Sequence, residues 1–361
     1  MTVEDAAVRV GVVGLGMGLY LATWCRRLGM EVVAACDRDP ARRAEAAASL
    51  PGVDPVENWS ELLDADLDAV VLANDFDEHA PLAIAFLERG VHVLSEAAAC
   101  ADEEQARALL DAERRSAATY SFAENYVFHP HTRLIGHIVG SGEIGRVTLI
   151  EADYLHGMSP DGVSALIGDP GHWRGRIAPT AYCTHTLSPV IALTGELPVE
   201  VTAFPIDATA RPAAVALVVR LGGGGLAITR HGFLQGEPDS HWSWLSVRGT
   251  EGLAESVRAP GSRAWSVRVR KEAWTEPAGI VRDEERMPER LSLPDGVVAE
   301  PAAEGTVRIL TGFRACVEDG ESPLIPARPA VAASLVGVAG ARSLRDGSRP
   351  VPMPGWLVRG D

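Results

Sequence analysis

Of the 33 basic side chains in this 361-residue chain, a single one, Lys271, is lysine. No lysine in the first 270 residues can therefore serve as an acid or a base. Cysteine is also sparse. Cys25, Cys36, Cys100, Cys183 and Cys316 are odd in number, widely spaced and set mostly in apolar surroundings. They predict reduced thiols in a cytoplasmic protein rather than a disulfide framework. No apolar run reaches the ~18 residues that a membrane span needs. A strand pattern opens by Val8, which leaves no room for a secretory leader. Basic runs are missing as well, and a formal net charge of -16 repels phosphate backbones and anionic membranes. Neither nucleic acid nor a membrane is an expected partner. Internal repeats and low-complexity segments are absent.

With 47% hydrophobic residues, a chain of this length predicts two domains sharing a large buried core. From Val8, short apolar runs ("VRVGVVG", "EVVAACD", "LDAVVLAND", "VHVLSE") alternate with helical stretches such as "EHAPLAIAFLERG". Strands apolar on both faces imply a parallel sheet covered on both sides. With a helix over Asp102 to Ser116 and the strand "TYSFAEN", about six βα units complete a doubly wound Rossmann domain over 1–124. The rhythm then changes. A helix around Thr132 to Val139 precedes "RVTLIEADY", "VEVTAF", "AAVALVVRL" and "LAITRHGFL". Residues 125–361 thus predict an α+β domain with a large, mostly antiparallel open sheet. Gly222 to Gly225 joins two strand patterns without a following helix, so it reads as a hairpin turn and not a phosphate cradle. The helix near Ala330 to Leu344 and the "RPVPMP" tail are expected to pack back on the body.

The stretch "VGVVGLGMG", Val10 to Gly18, is a strand entering a glycine turn and then a helix. Gly14 permits the tight turn, Gly16 lets the backbone approach a pyrophosphate, and the helix N-terminus beyond Met17 attracts it. The third fingerprint position falls on Leu19, with Gly18 one place early. Asp37 ends the second strand, 23 residues after Gly14, where a carboxylate accepts hydrogen bonds from a ribose. Its charge opposes a 2'-phosphate and favours NAD over NADP, while the neighbouring Arg38 pulls the other way.

Gly157 to Arg176 shows little regular pattern over about twenty residues, and loops of that length are usually functional or disordered. Its His172, Trp173 and Arg174 favour function, although Arg174 could merely stack on Trp173. His129, His131 and His137 invite a metal reading, but no Cys or Asp completes a set at ligand spacing. A surface helix is the simpler reading, and no metal is expected.

Taken together, "GVVGLGMG", "LANDFDEHAPLAIAFLERGVHVLSE", "FAENY", "EIGRVTLIEADYLH" and "YCTHTLSPVIALTGELPVEVTAF" resemble the Gfo/Idh/MocA family of NAD(P)-dependent sugar oxidoreductases. The resemblance implies that Glu96 lies beside the nicotinamide ribose. It also implies an active-site lysine in the next position, where this chain has Ala97. Ala181 occupies the place of the family's usual Asp before the active-site His, and Ser188 that of a downstream Asp. What remains, Tyr182-Cys183-Thr184-His185, resembles the Tyr-x-Thr-His motif of the family's NAD-dependent glycosidases, which also lack the lysine; Ser188 departs from their glycine.

For that subgroup the resemblance implies a redox-neutral cycle. A ring carbinol is oxidised to a ketone, a base removes the proton from the adjacent carbon, the glycosidic group leaves, water adds, and the hydride returns. His185 and Tyr182 would be the acid/base pair, with Tyr154 and His156 near the sugar ring. Arg174, with Trp173, would clamp a substituent, and Glu124 and Asn125 would face substrate and nicotinamide. Asn74, Asp75 and His79 would line the cofactor side. Tyr154 and Tyr182 could equally fill a core, and His185 could be a satisfied buried histidine. An ordinary NAD(P)-dependent sugar or cyclitol dehydrogenase is the alternative activity, and a non-catalytic dinucleotide and sugar binder the alternative class. The family resemblance further implies a homodimer or homotetramer.

Overall fold

The computed structural model describes residues 7–206, 212–233, 242–259, 261–262, 264–293 and 295–359. Its chain divides into two compact units.

In the first unit, five parallel strands form one sheet. They are β1 (Arg9–Val13), β2 (Glu31–Cys36), β3 (Ala69–Leu72), β4 (His92–Ser95) and β5 (Tyr120–Phe122), in the order β2-β1-β3-β4-β5. The chain order reverses between β1 and β3, which makes that point the crevice where a doubly wound sheet receives its ligand. Every residue of β3 is buried, as expected of a strand covered on both faces. Four helices separate the strands: α1 (Met17–Arg27), α2 (Pro40–Ser49), α3 (His79–Leu87) and α4 (Glu103–Arg115). Sequence patterning suggests about six βα units; five strands form. In α4 the Asp102 side chain accepts from Gln105 N, acidic Glu103 and Glu104 fill the first turn, and Arg114 and Arg115 close the last. Cap and dipole thus fix the helix at both ends. Thr306–Val331 also belongs to this unit: Phe122 N donates to Ile325 O at 3.0 Å, and Arg314 Nη1 to Leu28 O at 2.9 Å.

The second unit comprises residues 125–305 and those after 331. The chain thus passes between the units after Glu124, Gly305 and Val331. The unit opens with α5 (Pro130–Gly140), β6 (Val147–Leu155), α6 (Pro160–Ile167), α7 (Trp173–Arg176) and α8 (Thr184–Thr194). Seven strands follow: β7 (Pro198–Pro205), β8 (Ala214–Leu221), β9 (Leu226–Gly232), β10 (Leu245–Gly249), β11 (Gly252–Val257), β12 (Ser266–Lys271) and β13 (Arg282–Arg286). The chain then forms α9 (Pro301–Glu318), α10 (Ala327–Arg345) and β14 (Val351–Pro352). The nine-stranded sheet runs β13-β12-β11-β10-β6-β9-β8-β7-β14 and is antiparallel except where β6 meets β9.

Gly222 to Gly225 forms the β8–β9 hairpin turn, closed by Leu221 N to Gly225 O at 2.9 Å, with Gly224 at φ +93. Val351 pairs with Val201, so the tail does return to the sheet. Residues 157–176 are more regular than their composition suggests. Ser159 caps Gly162 N and Pro160 stands at the first position of α6, a start signal outweighed in the sequence by five glycines within the stretch.

Candidate active site

The cofactor end gathers at the carboxyl ends of the first unit's strands. Gly14 follows β1 at φ +85, and a Cβ there would lie 2.5 Å from Ala73 O, so both conformation and space require glycine. Gly16 caps α1 without a side chain, and no acidic residue occupies the helix's first turn. Its missing Cβ would meet only the tip of Arg42, at 2.8 Å. Gly18 would press a Cβ to 2.8 Å from Val12 Cγ1. The close helix-to-strand packing ascribed to the third glycine is therefore performed by Gly18, although the spacing points to Leu19. Met17, between them, is 53% exposed.

Asp37 Oδ2 accepts from Leu15 N at 2.7 Å and Oδ1 from Asp39 N at 2.8 Å, with Arg42 at 3.6 Å. This carboxylate braces the glycine turn. Arg38 donates to Asp75 at 2.7 Å and lies 3.7 Å from Glu78; these two carboxylates raise its pKa above the ordinary value. Asn74 Oδ1 is buried with no hydrogen-bond partner, an acceptor available to a bound group. His79 is buried, its Nδ1 2.9 Å from Ala98 O, and burial lowers its pKa. A neutral imidazole that fastens the backbone after β4 is the result. Glu96 Oε2 accepts from Ala97 N at 3.3 Å. Ala97 and Ala98 are buried and joined by a cis peptide, and Glu124, at the end of the unit, is 1% exposed. A helix N-terminus without a side-chain cap, a glycine turn tight against the sheet and an orphaned acceptor together fit a dinucleotide.

The second unit builds a cluster of rings. Tyr154 lies on β6 opposite His231 on β9, and His156 extends β6 through its N–H to Gly232 O at 2.9 Å. A single 3-10 turn over Ala181–Cys183 runs straight into α8 and sets Tyr182 and His185 on the same side of the chain as Tyr154. The Tyr154 centroid stands 4.4 Å from His185, 4.5 Å from His156 and 5.9 Å from Tyr182, onto which it stacks. Tyr182 and His185 are 6.1 Å apart between centroids. Tyr126, beside Asn125, was not singled out by sequence reading. It lies 4.7 Å from both His185 and His129.

Arg174 binds the cluster to α7. Its backbone N–H meets His172 Nδ1 at 3.3 Å, its guanidinium carbon sits 4.4 Å from the Trp173 ring, and its Nε donates to Tyr182 Oη at 3.2 Å. It stacks on Trp173 and reaches the cluster as well. Burial raises the Tyr182 pKa, and Arg174 opposes the rise in part. A phenol so placed is held in its protonated form.

His129 and His131 correct the surface-helix reading: they are 8% and 1% exposed. Pro130 starts α5 there, and that helix packs on α8, β11 and β12. Burial pushes the pKa of His129 down to about 3, of His131 to about 4 and of His231 to about 3, so all three are neutral rings. His131 Nε2 lies 2.7 Å from Ser243 O. Thr184 and Ser188 each bury a hydroxyl with no partner, the latter where the resemblance leads one to expect Asp or Gly. Among the described residues no group of three His, Cys, Asp or Glu side chains could hold a metal ion. What the arrangement offers is proton transfer through phenols and imidazoles in a largely buried, ring-walled space.

Residues 8–124 match the family described as "Oxidoreductase family, NAD-binding Rossmann fold". Over 206 residues, 51% of this chain and 37% of the relative, the chain is 32% identical to a protein of Phocaeicola vulgatus named glycosyl hydrolase family 109 protein 3. It is also 32% identical to inositol 2-dehydrogenase 4 of Saccharopolyspora erythraea, over 45% of this chain and 49% of that one. The chain spans less than half the length of these curated relatives. A solved structure of levoglucosan dehydrogenase with NADH and levoglucosan superposes with a TM-score of 0.80 at 18% identity, covering 97% of this chain and 100% of that one. At that identity the likeness concerns the fold.

Proposed function

We propose, from the match of residues 8–124 to the NAD-binding Rossmann fold of the Gfo/Idh/MocA oxidoreductases, that the chain is an NAD-dependent enzyme acting on a sugar or sugar derivative at a ring carbinol. NAD supplies a hydride acceptor that can also give the hydride back. The turn at Gly14, Gly16 and the N-terminus of α1 would hold its pyrophosphate, and Asp37 a ribose hydroxyl. His185 takes the carbinol proton as the carbon is oxidised, and Tyr154, against its ring, relays it. A second proton then becomes labile on the carbon beside the new ketone. Its removal, which would fall to His185 again once Tyr154 has passed the first proton on, expels the glycosidic group, to which Tyr182, kept protonated by burial, would donate; water then adds to the unsaturated ketone and the hydride returns to the carbonyl carbon. Arg174 orients the Tyr182 oxygen, and with Trp173 it contacts a substrate substituent.

The observation that carries the redox-neutral form of the reaction is the pairing of two facts. Ala97 fills the expected lysine position with a buried methyl group, and three of the chain's five tyrosines meet His185 in one cluster. The proton handling that the resemblance assigns to a lysine would fall to this cluster. In deuterated water, turnover of a suitable glycoside should place deuterium on the carbon beside the oxidised one while free NADH stays at trace level. Stoichiometric NADH without exchange at that carbon would overturn the cycle and leave an ordinary dehydrogenase. All five cysteines are free and buried, which supports a reducing, cytoplasmic setting. No helix among the described residues is long and apolar enough to cross a membrane. A homodimer or homotetramer, as in the family, completes the proposal.

A further inference from the structure

The ring cluster borders a much larger hollow. Tyr126, 4.7 Å from His185, also lines a cavity of about 1150 Å³ within the second unit. Pockets that enclose a whole drug-sized ligand run to roughly 300–1,000 Å³, so one pyranose ring leaves most of this space unfilled. Three half-buried indoles, Trp242, Trp244 and Trp265, form part of its wall. Trp265 is held in place from two sides. The His131 ring lies 5.2 Å from it and the Arg258 guanidinium carbon 4.7 Å from its centroid. Trp242 stands 5.9 Å from His156, which ties the indole wall back to the ring cluster.

Polar features of the wall narrow the occupant. Ser256 lines the cavity, and its Oγ is buried with no hydrogen-bond partner, so an arriving hydroxyl would relieve an unmet polar group. Charges in the lining are of both signs: Glu255 and Glu300 against Arg258 and Arg290, with Arg290 donating to Glu304 at 2.6 Å. No net field selects a phosphate or a polycation. Flat indole faces, an orphaned hydroxyl and balanced charge suit a neutral ring that has an apolar face and hydroxyl edges.

We propose that this cavity is the subsite for a second ring attached to the reacting sugar, so that the preferred substrate is a glycoside larger than a monosaccharide. The proposal rests on the glycoside reading of the same site, and its test is made independent of turnover. NAD-loaded protein is titrated calorimetrically with the methyl and nitrophenyl glycosides of glucose, galactose and mannose and with disaccharides bearing the same sugars at their non-reducing ends. The expected result is a disaccharide at least tenfold tighter than the matching methyl glycoside. In Trp265→Ala that ratio should fall below threefold, and Trp265→Phe should keep most of it. Arg258→Ala, which removes the cation stacked on the same indole, gives a second variant should the alanine protein fail to fold. An equal gain with the nitrophenyl glycoside also supports the subsite and shows that an aromatic ring suffices. No gain for any two-ring ligand, or a gain undiminished in both Trp265→Ala and Arg258→Ala, overturns the proposal. If the protein instead accumulates NADH from these ligands, the redox-neutral reading fails while the affinity ratio still decides the subsite.

Discussion

Arg38 Nη2 donates to Asp75 Oδ2 across 2.7 Å, so the cation beside the Asp37 carboxylate is already engaged. Glu78, 3.7 Å away, adds to its hold. An arginine in this place could receive a 2'-phosphate only by giving up those partners, while Asp37 would still repel the added charge. NAD should therefore bind at least several-fold more tightly than NADP in a fluorescence titration. In Asp75→Asn, where the guanidinium is loosened, the gap should narrow. Equal affinity in the unaltered protein would mean that Arg38 governs the choice.

His185 meets Tyr126, Tyr154 and Tyr182 at the start of α8. In the proposed reaction, removing its ring leaves the carbinol proton without a receiver at that point. His185→Ala should lower turnover by about a hundredfold or more while NAD affinity barely moves. Near-native turnover would make the residue a packing element of the ring cluster.

These residues were unequally legible in the sequence. Gly14, Asp37 and the Asp102-capped helix could be read because each acts through neighbours within a few residues or along a regular strand–turn–helix rhythm. Arg38's engagement with Asp75 could not, since 37 positions separate them and only the β2–β1–β3 pairing brings them together. Gly18 shows the limit of spacing rules: the packing role follows the helix's first turn, which begins one residue earlier than the fingerprint assumes. Tyr126 and His231 were passed over because an aromatic residue beside a motif, or a histidine in a strand, looks like ordinary core. His231 comes opposite Tyr154 through the parallel β6–β9 pairing, whose strands lie some 77 positions apart at Asp153 and Arg230, and Tyr126 reaches His185 from a 3-10 turn packed on α8.

Burial of the histidines makes stability depend on pH. His129, His131 and His231 have folded-state values depressed to about 3, 4 and 3, below the ~6.5 of an unfolded histidine. Their contribution is whole above pH ~6.5 and is lost as pH falls toward the folded values, because the unfolded chain takes up protons that the folded one refuses. Each proton steepens the fall by ~1.4 kcal/mol per pH unit. The thermal midpoint measured by scanning calorimetry should drop continuously from pH 6.5 to pH 4.5, and less steeply in His231→Asn. A midpoint that is flat over this range would show that the rings are protonated in the folded protein.

The return of Thr306–Val331 to the first unit governs the timing of assembly. A ribosome delivers the five Rossmann strands early, yet the edge at Phe122 waits for Ile325 and the carbonyl of Leu28 for Arg314. Both arrive only after the whole nine-stranded sheet except β14 has been synthesised. Domains ordinarily fold in the order in which they emerge. Here the first to emerge is finished late, and the nascent chain carries an incomplete nucleotide fold for most of its synthesis.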